Sequence, residues 1–266
     1  MRKIALASLA ALGLTLAAAV PALAHHSWGS YHWARTSNPF TLRVGDNVSS
    51  QWDPVLDTTI ADWTSSSVLD LAKTAGGSTN KRCRPTSGRV EVCNGAYGNN
   101  GWLGVAQIWA SGSHITQGTV KLNDTYFNTS TYNTSAWRNL VSCQEVGHTL
   151  GLDHQDESFD NPNLGTCMDY TSNPGTNQHP NAGDYDQLLC IYDPASAGKT
   201  LTTSTHSCTG TGHLDTTTTV GSAAAAPGAQ ADVADLPPGA GPDRSTYVRD
   251  LGGGMRLITH VFWARG

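Results

Sequence analysis

The sequence predicts a mixed α+β domain, and three observations support this class. The segments "TLRV", "GVAQIWA" and "TVKLND" have the apolar character and the Gly- and Ser-rich flanks of β-strands. The segment "WDPVLDTTIADWTSSSVLDLA" spaces apolar residues at three and four positions, which predicts an amphipathic helix (Trp52, Leu56, Ile60 and Trp63). A second helix is predicted from about Ser135, with a polar cluster along one stripe. Strands followed by a helix that bears the polar groups are typical of this class.

The N-terminus has the features of a secretory signal peptide covering residues 1–24. A basic start, Met1-Arg2-Lys3, precedes an apolar run from Ile4 to Val20 and the small-residue site Ala22-Leu23-Ala24. No later run approaches the roughly 20 apolar residues that a membrane-spanning helix needs. We therefore expect a secreted, extracellular protein whose mature chain begins at His25 and does not associate with a membrane.

Composition divides the mature chain into three parts. Residues 25–208 are predicted to form one domain of ordinary size. Residues 209–243 contain few large apolar side chains and are predicted to be a flexible linker, and residues 244–266 contain two strand-like runs around Gly252-Gly253-Gly254, which predicts a β-hairpin. The formal charge of -5 becomes -7 when the two cations Arg2 and Lys3 are removed, which argues against nucleic acid as a partner. We expect a monomer.

All six cysteines lie after the predicted signal peptide, and an even number in an oxidising compartment predicts disulfides. Cys83 and Cys93 bracket a short loop and are predicted to pair. The other four allow three pairings, between which the sequence does not choose (Cys143, Cys167, Cys190 and Cys208).

The stretch "CQEVGHTLGLDHQDE" contains the candidate site. Gln144 and His148 are four residues apart, so on a helix they leave the same face and are able to hold one metal ion. Glu145 lies between them, turned to the side, where it would address a metal-bound water. A continuous helix would carry His154 about 9 Å along the axis from His148, too far to share a zinc ion. Gly151 is therefore predicted to end the helix and turn the chain back.

These residues resemble the HExxHxxGxxH signature of the metzincin clan of zinc metalloproteases, with Gln144 in place of the first histidine. Cys167-Met168-Asp169-Tyr170 is similar to the clan's Met-turn. The segment "GWLGVAQIWASGSHITQGTVKLND" is similar in layout to the matrixin-like strand whose exposed edge pairs with substrate, and "AWRNLVSCQEVGH" resembles the approach to the active-site helix. The resemblance covers roughly Phe40 to Tyr170.

The resemblance implies a metzincin-like catalytic domain with a twisted mixed sheet, an active-site helix and a Met-turn. It implies that zinc is the cofactor, with Gln144, His148 and His154 as ligands, and that Glu145 is the general base. Met168 would form the floor beneath the metal and Tyr170 would donate a hydrogen bond to the oxyanion.

The expected function is therefore a secreted zinc endopeptidase acting on protein or peptide substrates, which would lie extended beside an edge strand near Gly104 to Ala110. The alternative is a catalytically inactive, protease-like binding protein, with or without metal. The glutamine separates the two, since an amide oxygen is a neutral donor and is expected to bind zinc less tightly than imidazole.

The remaining histidines are weaker candidates. His179 would substitute for Gln144 only if the glutamine turns away, and a surface position is the more economical interpretation. His25 and His26 would form a copper site only if the mature terminus is ordered. Four others have no partner at a useful spacing (His114, His206, His213 and His260). The segment between Ala24 and Phe40 leaves no room for an inhibitory N-terminal prodomain.

Overall fold

The structure is a computed structural model that describes residues 26–79, 82–196, 208, 236 and 239–265. The predicted signal peptide, His25 and most of the predicted linker lie outside these residues. Among the described helices, none combines the length and apolar character that crossing a membrane requires.

The described residues form an α+β fold with one eight-stranded mixed sheet. The strands are β1 (His32–Trp33), β2 (Phe40–Asn47), β3 (Leu69–Ala75), β4 (Arg89–Gly95), β5 (Trp102–Ser111), β6 (His114–Asn123), β7 (Thr246–Gly252) and β8 (Met255–Trp263). Their order is β3-β2-β4-β6-β5-β8-β7, with β1 paired to β6. Strands β1, β2, β3, β4 and β6 pair in parallel, whereas β5 is antiparallel to β6 and β8, and β7 is antiparallel to β8. The fold class predicted from the sequence is confirmed at this level.

Among the described residues, four α-helices accompany the sheet: α1 (Asp53–Thr64), α2 (Asp124–Phe127), α3 (Ser135–Thr149) and α4 (Ala182–Tyr192). Helices α1 and α3 contact each other, and they pack on β3 and on β5 and β6 respectively. Trp63 is fully buried at the contact between the helices, where its indole Nε1 donates to the carbonyl of Cys143 over 3.0 Å.

The predicted first helix is shorter than the segment assigned to it. The helix ends at Thr64, and the residues from Leu69 onward form β3. Ser65 caps the end of the helix through its backbone N–H, and the serine run that follows offers side chains that compete with helical hydrogen bonds. The last apolar residues of the segment alternate, and they pair in parallel with β2.

The C-terminal segment forms a hairpin, but it is not a unit apart from the domain. Strand β8 pairs with β5 along its length, from Trp102 opposite Trp263 to Ser111 opposite Met255. The expectation that β5 is an exposed edge is therefore wrong. Ile258 and Phe262 of β8 are buried in the main core, and this apolar burial explains why the hairpin docks on the domain.

All six cysteines are paired. The pair Cys83–Cys93 confirms the prediction, and the other two bonds join Cys143 to Cys167 and Cys190 to Cys208. The bond between Cys143 and Cys167 ties α3 to the segment that carries Met168. It therefore fixes the two parts of the candidate site to each other.

Candidate functional site

Helix α3 positions the first group of site residues. Its N-terminus is capped by Thr134, whose side chain accepts a hydrogen bond from the Trp137 backbone N–H. At its other end Gly151 has a φ of 98°, in the left-handed region that favours glycine. A Cβ atom there would lie 2.5 Å from the Tyr31 carbonyl oxygen, so a side chain has no space. The chain turns at this glycine and brings His154 back toward His148.

The rings of His148 and His154 meet through their Nε2 atoms, which are 3.0 Å apart. Each Nδ1 atom faces an oxygen: the carbonyl of Leu152 at 2.9 Å for His148, and Oε1 of Glu157 at 2.9 Å for His154. Neutral imidazole carries one proton, and these acceptors hold it on Nδ1. Two Nε2 lone pairs then face each other, an arrangement that a shared cation relieves. Histidine ligands of metals are oriented by such outer oxygen atoms.

A third imidazole, that of His260, completes the cluster. His148, His154 and His260 are all buried and offer one ligand atom each, with these atoms within 4.8 Å of one another. The His260 ring stacks on the His148 ring with centroids 3.6 Å apart, and its Nε2 has no hydrogen-bond partner among the described residues. The sequence expectation that His260 has no partner is therefore wrong. Only the pairing of β8 with β5 brings it here, and no spacing in the sequence indicates it.

Gln144 lies one helical turn before His148 and is fully buried. Its Nε2 donates to the carbonyl of Cys167 over 2.6 Å, and its Oε1 has no hydrogen-bond partner in the described part of the chain. A buried acceptor without a partner is costly, about 1–3 kcal/mol. Its amide oxygen is thus available to a cation, while its amide nitrogen holds the Met168 segment in place.

Glu145 is fully buried, and neither carboxylate oxygen has a hydrogen-bond partner with good geometry within the described residues. Burial raises the pKa of this carboxyl well above its usual value, while the backbone N–H groups of Ala106 and Phe262 act in the opposite direction. The side chain lies against Gly104 of β5, where a Cβ atom would be 2.9 Å from Glu145 Oε1. Glycine at that position is what lets α3 approach the strand.

Met168 and Tyr170 complete the surroundings of the histidines. Met168 lies beside Gly147 of α3, where a Cβ atom would be 2.7 Å from its sulfur. The ring of Tyr170 lies 4.4 Å from that of His154, and its hydroxyl donates to the Val261 carbonyl over 3.2 Å. Burial, followed by the charge of Glu145, raises the pKa of the Tyr170 hydroxyl well above its usual value. The hydroxyl therefore stays a donor.

The remaining candidate histidines lie elsewhere. His179 is exposed, with Nδ1 2.7 Å from Asp62 Oδ2, and is not part of the cluster. His26 is buried with Nε2 3.1 Å from Asp184 Oδ1, so this residue belongs to an ordered segment. The copper site would also need His25, which lies outside the described residues.

The cluster is closed to solvent. Glu145 is 0% exposed, His148 and His260 are each 1% exposed, and His154 is 8% exposed. Strand β8 is one of the covering elements. A cavity of about 270 Å³ is lined by Glu157, Phe159 and Tyr170 and by residues of the hairpin and of the segment just before it.

Comparison with known proteins adds little. No family model and no curated protein matches the sequence. Among solved structures, the comparison finds the high choriolytic enzyme 1 of medaka (Oryzias latipes), a hatching enzyme zinc-protease, at 11% identity and a TM-score of 0.32. The match covers 61% of this chain and 94% of that one. A likeness this distant carries no argument, so the function has to be inferred from the residues.

Proposed function

We propose that the protein is a secreted zinc-dependent endopeptidase. The observation that carries the proposal is the facing pair of Nε2 atoms of His148 and His154, 3.0 Å apart, with both Nδ1 atoms held by oxygen acceptors. Nitrogen donors of this kind suit zinc. Three disulfides suit an oxidising, extracellular compartment.

His148 and His154 would hold the metal, with the amide oxygen of Gln144 as the third ligand from the same helix. Zinc, when bound, supplies Lewis acidity that polarises a peptide carbonyl and acidifies a water molecule. An open fourth position is the pattern of catalytic rather than structural zinc.

Glu145 and Tyr170 would carry the proton and the hydrogen bond of the reaction. Glu145 accepts a proton from water and returns it to the departing amine nitrogen. A carboxyl whose pKa is raised by burial is suited to this exchange nearer neutral pH. The Tyr170 hydroxyl donates to the peptide carbonyl oxygen as negative charge develops there.

The closed site favours a second candidate, a protease-like protein that binds but does not cleave. In the described conformation Glu145 is 0% exposed, so a peptide does not reach it. This candidate predicts that metal is bound without turnover under any condition that opens the site.

The test is the zinc content of the purified mature protein, measured by mass spectrometry beside hydrolysis of a peptide library. We expect about one zinc per chain, lost in His148→Ala and reduced in Gln144→Ala. The control is His179→Ala, because this exposed histidine pairs with Asp62 and should leave zinc unchanged. No zinc in the folded wild type would remove the proposal, and zinc without hydrolysis in any variant would favour the binding protein.

A further inference from the structure

Strand β8 lies where the proposed peptidase would take its substrate. A peptide substrate binds most simply as an added strand on a sheet, through main-chain hydrogen bonds. Strand β5, which borders Glu145 at Gly104, already has such a strand beside it. β8 runs antiparallel to β5 and fills its pairing positions from one end to the other.

One peptide bond of β8 faces both proposed catalytic groups. The Val261 carbonyl accepts the hydrogen bond from the Tyr170 hydroxyl at 3.2 Å. The N–H on the other side of the same bond belongs to Phe262, which pairs with Gly104 of β5, the glycine that the Glu145 side chain contacts. These are the groups that a cleaved bond would present, since its carbonyl needs a donor and its nitrogen needs a returned proton. The Val261–Phe262 bond therefore occupies the position of a bond to be cleaved.

The side chain after this bond lies in an aromatic pocket. The Phe262 ring centroid is 5.1 Å from that of Tyr170, 6.3 Å from that of Phe159 and 6.4 Å from that of Trp137. Ring pairs at 4.5–7 Å with tilted planes are favourable beyond the burial of their area. The pocket is thus built for a flat, apolar side chain on the amine side of the bond.

His260 explains why the strand would stay uncut. The His260 ring stacks on the His148 ring, and its ligand nitrogen lies within 4.8 Å of those of His148 and His154. The Trp28 ring also contacts the His260 ring, with a centroid distance of 3.1 Å. Imidazole in this place would compete with water for a bound metal, and Glu145, which would act on that water, is fully buried.

We propose that β8 is an intramolecular pseudosubstrate that keeps the resting enzyme closed, and that the opened site takes extended peptides with an aromatic residue after the cleaved bond. The inference rests on the proposed peptidase function. It places the latency device in β8, near the C-terminal end of the described residues.

The first test is His260→Ala in the full chain, with zinc content and peptide hydrolysis measured together. A pseudosubstrate predicts that zinc stays at about one per chain, and that hydrolysis of an extended peptide with a central Phe rises at least tenfold. If His260→Ala loses both its zinc and its hydrolysis, His260 is a ligand of the working site and the inference is overturned. His179→Ala is the matched control and should change neither quantity.

A second test does not depend on how a single substitution folds. A specific cleavage sequence introduced between Cys208 and Leu236 allows the full chain to be cut while the Cys190–Cys208 bond stays intact. After the cut and dilution, turnover should rise at least tenfold, and added peptide 244–266 should suppress it. Peptide binding is also measured directly by fluorescence anisotropy.

Two altered peptides test the specificity of the block. Phe262→Ala should weaken both peptide binding and inhibition at least tenfold, because it empties the aromatic pocket. Val248→Ala should change neither, because that side chain is 61% exposed.

Three outcomes of the cut would contradict the proposals. If circular dichroism shows that the protein unfolds when the hairpin leaves, β8 is a structural strand and the inference is overturned. Equal turnover before and after the cut would overturn it too, while leaving the peptidase function standing. No zinc and no turnover in every sample would remove the proposed function itself, and this inference with it.

Discussion

The helix segment Gln144–His154 and the strand β8 meet at one site but reach it by different routes. In the helix segment, one turn separates Gln144 from His148, and the left-handed Gly151 returns His154 to the same point. In β8 the contacts are long range: Tyr170 and Val261, 91 residues apart, meet because β8 pairs with β5. Local geometry thus builds the pair that would bind metal, and the sheet determines what covers it.

The largest expected effect tests the chemistry of the helix side. Glu145→Gln keeps the size of the side chain and removes the proton acceptor, so we expect turnover to fall by about 10²–10⁴-fold with zinc still bound. The measurement is kcat/KM on a fluorogenic peptide, beside metal content, in a chain whose hairpin has been released. Asp70→Asn, an exposed acid on β3, is the control for loss of charge. Hydrolysis retained in Glu145→Gln would remove this residue from the role.

The second effect tests how closely α3 fits its surroundings. In Gly147→Ala the new methyl group would lie 2.7 Å from the Met168 sulfur and 2.7 Å from Trp63 Cζ2. Both neighbours are fully buried, so we expect the free energy of unfolding to fall by about 1–3 kcal/mol. The matched control is Gly175→Ala, whose Cβ atom would have its nearest neighbour at 3.5 Å. Urea denaturation measures both, and equal stabilities would show that the Met168 segment gives way easily.

A third prediction concerns Glu157, whose carboxylate orients the ring of the proposed metal ligand His154. Glu157 accepts from His154 Nδ1 at 2.9 Å and from the hydroxyl of Ser245, just before β7, at 2.8 Å. The hydrogen bond with His154 is the main reason that the pKa of Glu157 falls to about 2. Glu157→Gln removes the negative charge behind the imidazole, so we expect zinc affinity to fall about 10–100-fold.

Competition with a fluorescent chelator measures this zinc affinity. Asp57→Asn is the control, since Asp57 of α1 is similarly exposed and pairs with Lys73 of β3. An unchanged zinc affinity in Glu157→Gln would mean that the orientation of His154 comes from packing on Tyr170 rather than from the carboxylate.

The approach of His148 to His154 follows from local information in the sequence. Gly151 needs a positive φ, and a helix places residues four apart on one face, so the spacing alone brings His148 and His154 together. The two strand-like runs around Gly252 likewise predict the hairpin, since a glycine turn between apolar runs is a short-range signal.

The position of that hairpin is beyond such reasoning. Strands β5 and β8 are far apart in the sequence, and any apolar strand could pair with an exposed edge. Strand β8 pairs with β5 because this pairing buries Ile258 and Phe262 in the main core. Residue spacing in the sequence does not encode the shape of that core. The expectations of an open edge and of an unpartnered His260 were therefore wrong for the same physical reason. The prediction that Gln144 is a metal ligand does not depend on the position of the hairpin. Its Oε1 has no hydrogen-bond partner among the described residues, which suits a ligand, and its Nε2 donates to the carbonyl of Cys167.

The smallest expected effect concerns how firmly the end of β8 is held. Arg265 follows the strand, donates to Asp160 over 2.8 Å, and lies 4.2 Å above the Phe159 ring. Both charged side chains are largely exposed, so the ion pair is worth only about 0.2–1 kcal/mol and is screened by salt. Asp160→Asn should therefore speed hydrogen exchange in β8 slightly at low salt and not at all in 1 M salt, with the contact to Phe159 retained. Hydrogen exchange of the peptide containing β8 measures this, and Asp57→Asn should leave it unchanged at either salt concentration. A large acceleration that persists in salt would mean that a single exposed carboxylate holds the strand, and that burial of Phe262 contributes little to closure of the site.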